Sequence, residues 1–248
     1  MVNVAQDLAV QSYCFRGFKT NEEVIEQVKR IGLSRVELCG CHADFGNEKT
    51  FDAVVSLYEK AGVRIVSIGV QGFSNNEAVE TKWFEFVKRA GAKLISADFA
   101  PGNVPDCCRT AVKLAEKYDV NIGIHNHGGG HWLGSPQMLG HVLAHTSPRI
   151  GMMLDTAWMI DSAGDPCAFA EQFAGRLYGV HIKDFVYDRA RRPKDVVVGA
   201  GNLNLPKLVT LLKEKGPAGC CPILEYEGDV ANPAPALTEC VKAVRAVA

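Results

Sequence analysis

Short runs of β-branched and aliphatic residues alternate with longer amphipathic segments along the whole chain. The apolar runs predict strands over residues 9–15, 35–38, 64–70, 94–99, 121–126, 150–155, 178–183 and 222–227. The segments between them space their apolar positions at i, i+3 and i+4, which predicts helices over 21–31, 50–61, 75–90, 104–118, 135–144, 166–173, 206–215 and 235–247. Punctuation agrees with this division: Asn75 precedes a Glu-containing turn, Pro206 stands at an opening position, and Gly32, Gly62 and Gly91 follow the last periodic residues.

Eight strand–helix units in 248 residues give about 31 residues each, room for one strand, one crossover helix and two short loops. No Pro/Gly/Ser-rich linker separates the units, so residues 1–248 read as one α/β domain, a single (β/α)8 TIM barrel. An open doubly wound sheet would carry a Gly-rich phosphate turn after its first strand, and Cys14-Phe15-Arg16-Gly17-Phe18 is not one. In a barrel the chemistry sits at the carboxyl ends of the strands, so polar residues that close an apolar strand become the site candidates.

Composition narrows the partners. A chain with 47% hydrophobic residues at this length buries roughly 70 to 75% of its unfolded surface, so any metal it holds is not needed merely for folding. Lysine plus arginine (27) balance aspartate plus glutamate (28), a net charge of -1 that gives no bulk attraction for nucleic acid or an anionic membrane. Apolar stretches such as 65–70 fall far short of the roughly 18 residues of a membrane span. Residues 1–9 contain Asp7 and lack a basic and then apolar leader, so no secretory signal is expected. Nine cysteines, an odd number without repeated CxxC spacing, predict reduced thiols in a cytoplasmic protein, and Cys39-Gly40-Cys41 is only a weak metal signal.

The last four strand ends hold the candidate chemistry. The fifth closes with His125-Asn126-His127 and runs into Gly128 to Gly130 and His131; residues two apart on a strand share a face, and the glycines let backbone approach a ligand. The sixth closes with Asp155, followed by Trp158; a carboxylate ending an apolar strand needs a cation or several donors. In the seventh, His181 and Lys183 share a face, and a buried lysine needs a carboxylate or an anionic substrate atom. In the eighth, Glu225 and Glu227 share a face, and one of them is a candidate salt-bridge partner for Lys183. Consecutive strands would aim His125, Asp155, His181 and Glu225 at one point, a donor set for one divalent manganese, cobalt, zinc or iron ion rather than calcium. Arg189, Arg191 and Arg192 form a loop cluster open to a phosphate or to solvent.

These stretches, together with Arg35-Val36-Glu37-Leu38 and Val198-Gly199-Ala200-Gly201-Asn202-Leu203, resemble the xylose isomerase-like barrels, which include sugar phosphate isomerases/epimerases, ketose 3-epimerases, hydroxypyruvate isomerase and inosose dehydratase. The resemblance spans nearly the whole chain. It implies a metal held by residues from the last four strands, here matching Asp155, His181 and Glu225, with Glu227 a substitute for Glu225. It also implies glutamates acting as acid and base. His125 stands where the epimerases carry the first catalytic glutamate, and the histidine form is similar to the His-x-His stretch of the inosose dehydratase branch. His131 falls where the epimerases place a substrate-contacting acidic residue. Endonuclease IV shares the barrel but draws on more ligands and a more basic surface, and true xylose isomerase needs a second metal site and a long C-terminal arm.

The resulting expectation is a divalent-metal-dependent sugar, sugar phosphate or polyol isomerase or epimerase working through a metal-stabilised enediolate. Glu225 or Glu227 would be the base, His125 or His127 the second acid/base, and Lys183 would act on the substrate. His127, His131, Trp158, Glu37 and His42 would contact a small carbohydrate. A lyase acting on a keto-inositol or 3-keto-glycoside is the alternative, and a non-catalytic sugar-binding barrel the third reading; self-association into a homo-oligomer is compatible with all three.

Overall fold

The computed structural model describes residues 2–248, Met1 lying outside them, and its frame is a closed barrel of eight parallel strands. In chain order these are β1 (Ala9–Gln11), β2 (Arg35–Leu38), β3 (Arg64–Phe73), β4 (Leu94–Phe99), β5 (Asn121–His125), β6 (Ile150–Asp155), β7 (Leu177–Ile182) and, after a hairpin, β10 (Cys221–Leu224). The ring closes where β1 pairs with β10 through Ala9 opposite Ile223 and Val10 opposite Leu224. The outer layer carries α2 (Asn21–Arg30), α3 (Phe51–Lys60), α4 (Glu77–Arg89), α5 (Val104–Tyr118), α6 (Pro136–Ala144), α8 (Pro166–Gln172), α9 (Leu205–Lys215) and α10 (Ala234–Val247). Each turns an apolar stripe onto the strands, as Val24, Ile25 and Val28 do in α2.

Local chemistry sets the ends. Thr20 and Glu23 form a reciprocal capping box that starts α2, while Asn76, Ser135, Asp165 and Asn204 accept backbone N–H groups at the starts of α4, α6, α8 and α9. Inside the barrel, Ala9, Val66, Leu94, Met153 and Ile223, from five strands, pack as one buried cluster. Met153 fits there because Gly179 has no side chain: a Cβ at that position would lie 2.6 Å from the methionine sulfur.

Four features depart from the sequence reading. The first strand ends at Gln11, and Ser12–Phe15 winds into a 3-10 turn whose buried Ser12 and Cys14 on either side of exposed Tyr13 mimic strand alternation. The third strand continues to Phe73. Two short helices, α1 (Val4–Asp7) and α7 (Thr156–Asp161), are too brief to show a period. The segment after β7 forms an antiparallel hairpin, β8 (Phe185–Tyr187) with β9 (Pro193–Asp195), whose turn carries the three arginines; Arg192 pairs there with Asp188 at 2.7 Å. No helix among the described residues is long and apolar enough to cross a membrane.

Candidate metal centre and active site

At the carboxyl end of the barrel, β5 ends in His125, β6 ends in Asp155, β7 carries His181 next to its end, and Glu225 directly follows β10. Register brings them level: Asp155 is the direct partner of His181, and Ile223, two residues before Glu225, is another. All four are buried, and one potential ligand atom from each lies within 4.8 Å of the other three. His125 Nε2 is 3.0 Å from His181 Nδ1, 3.6 Å from Asp155 Oδ2 and 3.8 Å from Glu225 Oε2, and His181 Nδ1 is 3.2 Å from Glu225 Oε2. Bonds of about 2.1 Å to a central ion would set neighbouring ligands about 3.0 to 3.4 Å apart, close to these separations. The mixed imidazole and carboxylate set suits a borderline divalent ion.

One orphaned atom supports the fit. Asp155 Oδ1 accepts the Trp158 N–H at 2.8 Å, but its fully buried Oδ2 has no hydrogen-bond partner, an arrangement a cation would complete. Behind the quartet, Glu37 Oε1 lies 2.9 Å from His181 Nε2 and accepts from Gln11 Nε2 at 2.5 Å. Glu37 therefore takes the Nε2 proton of His181 and leaves Nδ1 facing the cluster, the usual outer partner of a metal-binding histidine.

The charges are strongly coupled. Burial alone would keep His181 neutral, but Glu225 and Glu37 outweigh it and push its pKa up to about 10. Burial raises Asp155 well above the ordinary carboxylate range, with Lys183 opposing. For Glu225 burial again favours the neutral form, and Lys183 and His181 overcome it, holding the carboxylate far below its usual value. Burial, then the neighbouring His125 and His131, lowers His127 to about 3, so its imidazole is neutral.

A cavity of about 450 Å³ opens above the cluster. His125, Glu225, His127, Trp158 and Glu227 line it, joined by Gln11, Tyr13, Cys39, Gly40, Cys41, Gly69 and Val70. His127 lies between His125 and His131, its ring tilted against both at centroid separations of 4.7 and 5.0 Å, and its buried Nδ1 has no partner among the described residues.

Four residues expected at the substrate do not line this cavity. Lys183 is 1% exposed and faces Glu227 and Glu225, its Nζ 5.3 Å from the Trp158 ring centre and 5.4 Å from that of Phe185; it is an ion-pair partner behind the cavity wall. Glu37, fully buried, stands behind His181. His42 is buried beside Ser12 and Cys41, outside the cavity lining. His131 lines a neighbouring cleft, its Nδ1 accepting the Leu133 N–H at 3.2 Å and its Nε2 3.4 Å from Asp98. The glycine run also serves a different end: a Cβ on Gly128 would lie 2.5 Å from the Trp158 ring, so the bare backbone makes room for that ring.

Several site-building residues escaped sequence reasoning. Asn126 bridges the backbone of Asp155 through two hydrogen bonds, at 2.9 and 3.0 Å; a buried amide between two histidines was the available signal. Asp195 in β9 accepts the Glu227 N–H at 3.0 Å and so ties the hairpin to the site. Cys39 and Cys41 are joined as a disulfide, a correction to the all-thiol expectation. A two-residue step in a tight turn brings their Cα atoms within 5.4 Å, while the other seven cysteines are free.

Residues 25–246 match the family model of the xylose isomerase-like TIM barrel. The chain belongs to that family. The rhizopine catabolism protein MocC of Rhizobium meliloti is 29% identical over 133 residues, 48% of this family member, which spans only 40% of that relative's length. The probable 3-DHS dehydratase AsbF, involved in petrobactin synthesis in Bacillus anthracis, superposes on 96% of this xylose isomerase-like barrel and 98% of its own chain, with a TM-score of 0.76 and 14% identity. The IOLI protein with a bound zinc atom does so over 97% of each chain, with a TM-score of 0.75 and 15% identity. At such identities the structural likeness speaks for the fold.

Proposed function

We propose that this xylose isomerase-like barrel is a divalent-metal-dependent isomerase or epimerase of a sugar, sugar phosphate or polyol, with proton transfer beside a carbonyl as its chemistry. The observation that carries the reading is the buried quartet His125, Asp155, His181 and Glu225 at the floor of an open cavity, with one carboxylate oxygen left unpaired. The zinc in the IOLI protein, a structure of the same fold, supports the choice of a transition metal. When bound, such an ion polarises a carbonyl and its neighbouring hydroxyl and lowers the cost of charge developing on oxygen.

The side chains divide the remaining work. Glu225 is committed by its contacts to His181, His125 and Lys183, which makes it a ligand and a poor proton acceptor. Glu227 lines the cavity with its side chain 31% exposed and its carboxylate held by Lys183, so it is the group placed to take a carbon-bound proton. Neutral His127, two residues past the end of β5 and with two barrel strands between it and β10, is the second polar group on the cavity wall, a hydrogen-bond partner for a substrate hydroxyl. Trp158 offers a flat apolar wall to a sugar ring. Return of the proton to the opposite face gives epimerisation, and return to the neighbouring carbon gives isomerisation.

Elimination from the same enediolate is the second reading, favoured by one observation: His125 occupies the place that, by family resemblance, belongs to a catalytic glutamate. The test is an NMR screen of keto-sugars, keto-inositols and 3-keto-glycosides in deuterated water. The proposal expects deuterium at the carbon beside the carbonyl, lost in Glu227→Gln while sugar binding persists. Turnover without any solvent exchange, or exchange undiminished in that variant, would overturn it.

A further inference from the structure

The sequence Cys39-Gly40-Cys41-His42 follows β2, and its first three residues form part of the cavity wall, yet the proposed chemistry uses none of it. Its two sulfurs differ in every respect that matters for exchange. Cys41 is exposed and borders the cavity, whereas Cys39 is 5% exposed and its sulfur accepts the Cys41 backbone N–H at 3.1 Å. A donor aimed at one sulfur stabilises negative charge there, so Cys39 is the better leaving group and Cys41 the sulfur within reach of an incoming thiolate.

The third member is His42. Its Nδ1 lies 3.4 Å from Cys41 Sγ and 3.1 Å from Ser12 Oγ. Ser12 Oγ accepts the Cys39 N–H at 2.8 Å, so one hydroxyl joins the Cys39 backbone to the His42 ring. Burial keeps the ring neutral. A neutral imidazole keeps a lone pair on one nitrogen, and both ring nitrogens lie within 4.0 Å of Cys41 Sγ, so the ring is a proton acceptor for the Cys41 thiol.

We propose that Cys39, Cys41 and His42 form a thiol–disulfide exchange site at the mouth of the cavity, taking small-molecule dithiols and disulfides as co-reactants. In the reducing direction, a thiolate of the dithiol attacks Cys41 Sγ, the S–S bond breaks, and its electron pair leaves on Cys39 Sγ. The second thiolate of the same molecule then displaces Cys41 Sγ from the mixed disulfide. The dithiol is oxidised to its own disulfide, the protein pair is reduced to two thiols, and the two protons return to the cysteines. In the oxidising direction the His42 ring accepts the Cys41 proton as that sulfur attacks a small-molecule disulfide, whose S–S bond breaks and releases one thiolate; Cys39 Sγ then displaces the second thiolate from the mixed disulfide, closing the Cys39–Cys41 bond, and the two released thiolates take up the two cysteine protons. Any effect of this exchange on turnover rests on the proposed sugar chemistry; the exchange itself does not, and the labels below report on it without a sugar.

The experiment is alkylation of the native folded chain with iodoacetamide, before and after a brief pulse of dithiothreitol, read by peptide mass mapping. We expect Cys39 and Cys41 to be protected before the pulse and labelled after it, ahead of the six buried cysteines. In Cys39→Ser, the Cys41 thiol should take one glutathione from oxidised glutathione, and in Cys41→Ser the buried Cys39 should react about tenfold more slowly. Adding His42→Gln to Cys39→Ser should slow adduct formation about tenfold at neutral pH. If that double variant does not fold, the pH profile of the single variant replaces it, with Cys41 reacting fully at a lower pH than glutathione does. Immediate labelling of both cysteines in unreduced protein that persists after treatment with oxidised glutathione, or a Cys41 no faster than Cys221, would overturn the proposal.

Discussion

Glu37 Oε1 and His181 Nε2 meet at 2.9 Å inside the barrel, although the strands that carry them, β2 and β7, have β1 and β10 between them. The contact is made through the interior rather than along the sheet, and it fixes which nitrogen of His181 faces His125 and Glu225. Glu37→Gln keeps the shape and removes the charge. Outer partners of this kind typically contribute 10- to 100-fold in metal affinity, so we expect roughly that loss in a competitive zinc titration with the barrel still folded. Unchanged affinity would reduce Glu37 to a packing role.

Lys183 offers a separate test of what stands behind the cavity wall. It is buried against Glu225 and Glu227, so Lys183→Met leaves Glu225 short of its strongest cationic neighbour. Breaking a buried pair by removing one partner costs about 3 to 5 kcal/mol, and a loss of that size is expected in denaturant melts of metal-free protein. A variant as stable as wild type with turnover abolished would return Lys183 to the substrate.

The pH dependence follows from His181. Its folded pKa of about 10 lies above the unfolded value near 6.5, so its charged form adds stability to the metal-free protein below pH 6.5, and that contribution is lost as pH rises through 10. A bound metal requires the neutral ring. Metal uptake at pH 8 should therefore release at least one proton per ion, measurable by calorimetry in buffers of different ionisation enthalpy. Uptake with no proton release would show that His181 does not ligate through Nδ1.

The barrel was legible because its strands are short apolar runs at nearly even spacing, and strand-end polarity marked His125, Asp155, His181 and Glu225, which the structure brings together. What escaped depends on contacts without a sequence period. Lys183 shares strand parity with His181, but parity does not tell a wall-lining side chain from one capped by Trp158 and Phe185. Glu37 was expected at the substrate, because the distance across a closed barrel, which sets it behind His181, is not written in strand order. Ser12–Phe15 has the alternation of a strand and the hydrogen bonds of a tight turn.

The central claim is that the buried quartet holds one divalent cation. Elemental analysis after reconstitution with zinc or manganese and removal of free metal tests it most directly, on wild type, Asp155→Ala and His181→Ala chains shown to be folded by circular dichroism. About one ion per wild-type chain and a loss of most of it in both variants is the expected result. No bound ion in the wild type, or full occupancy in both variants, would contradict the assignment.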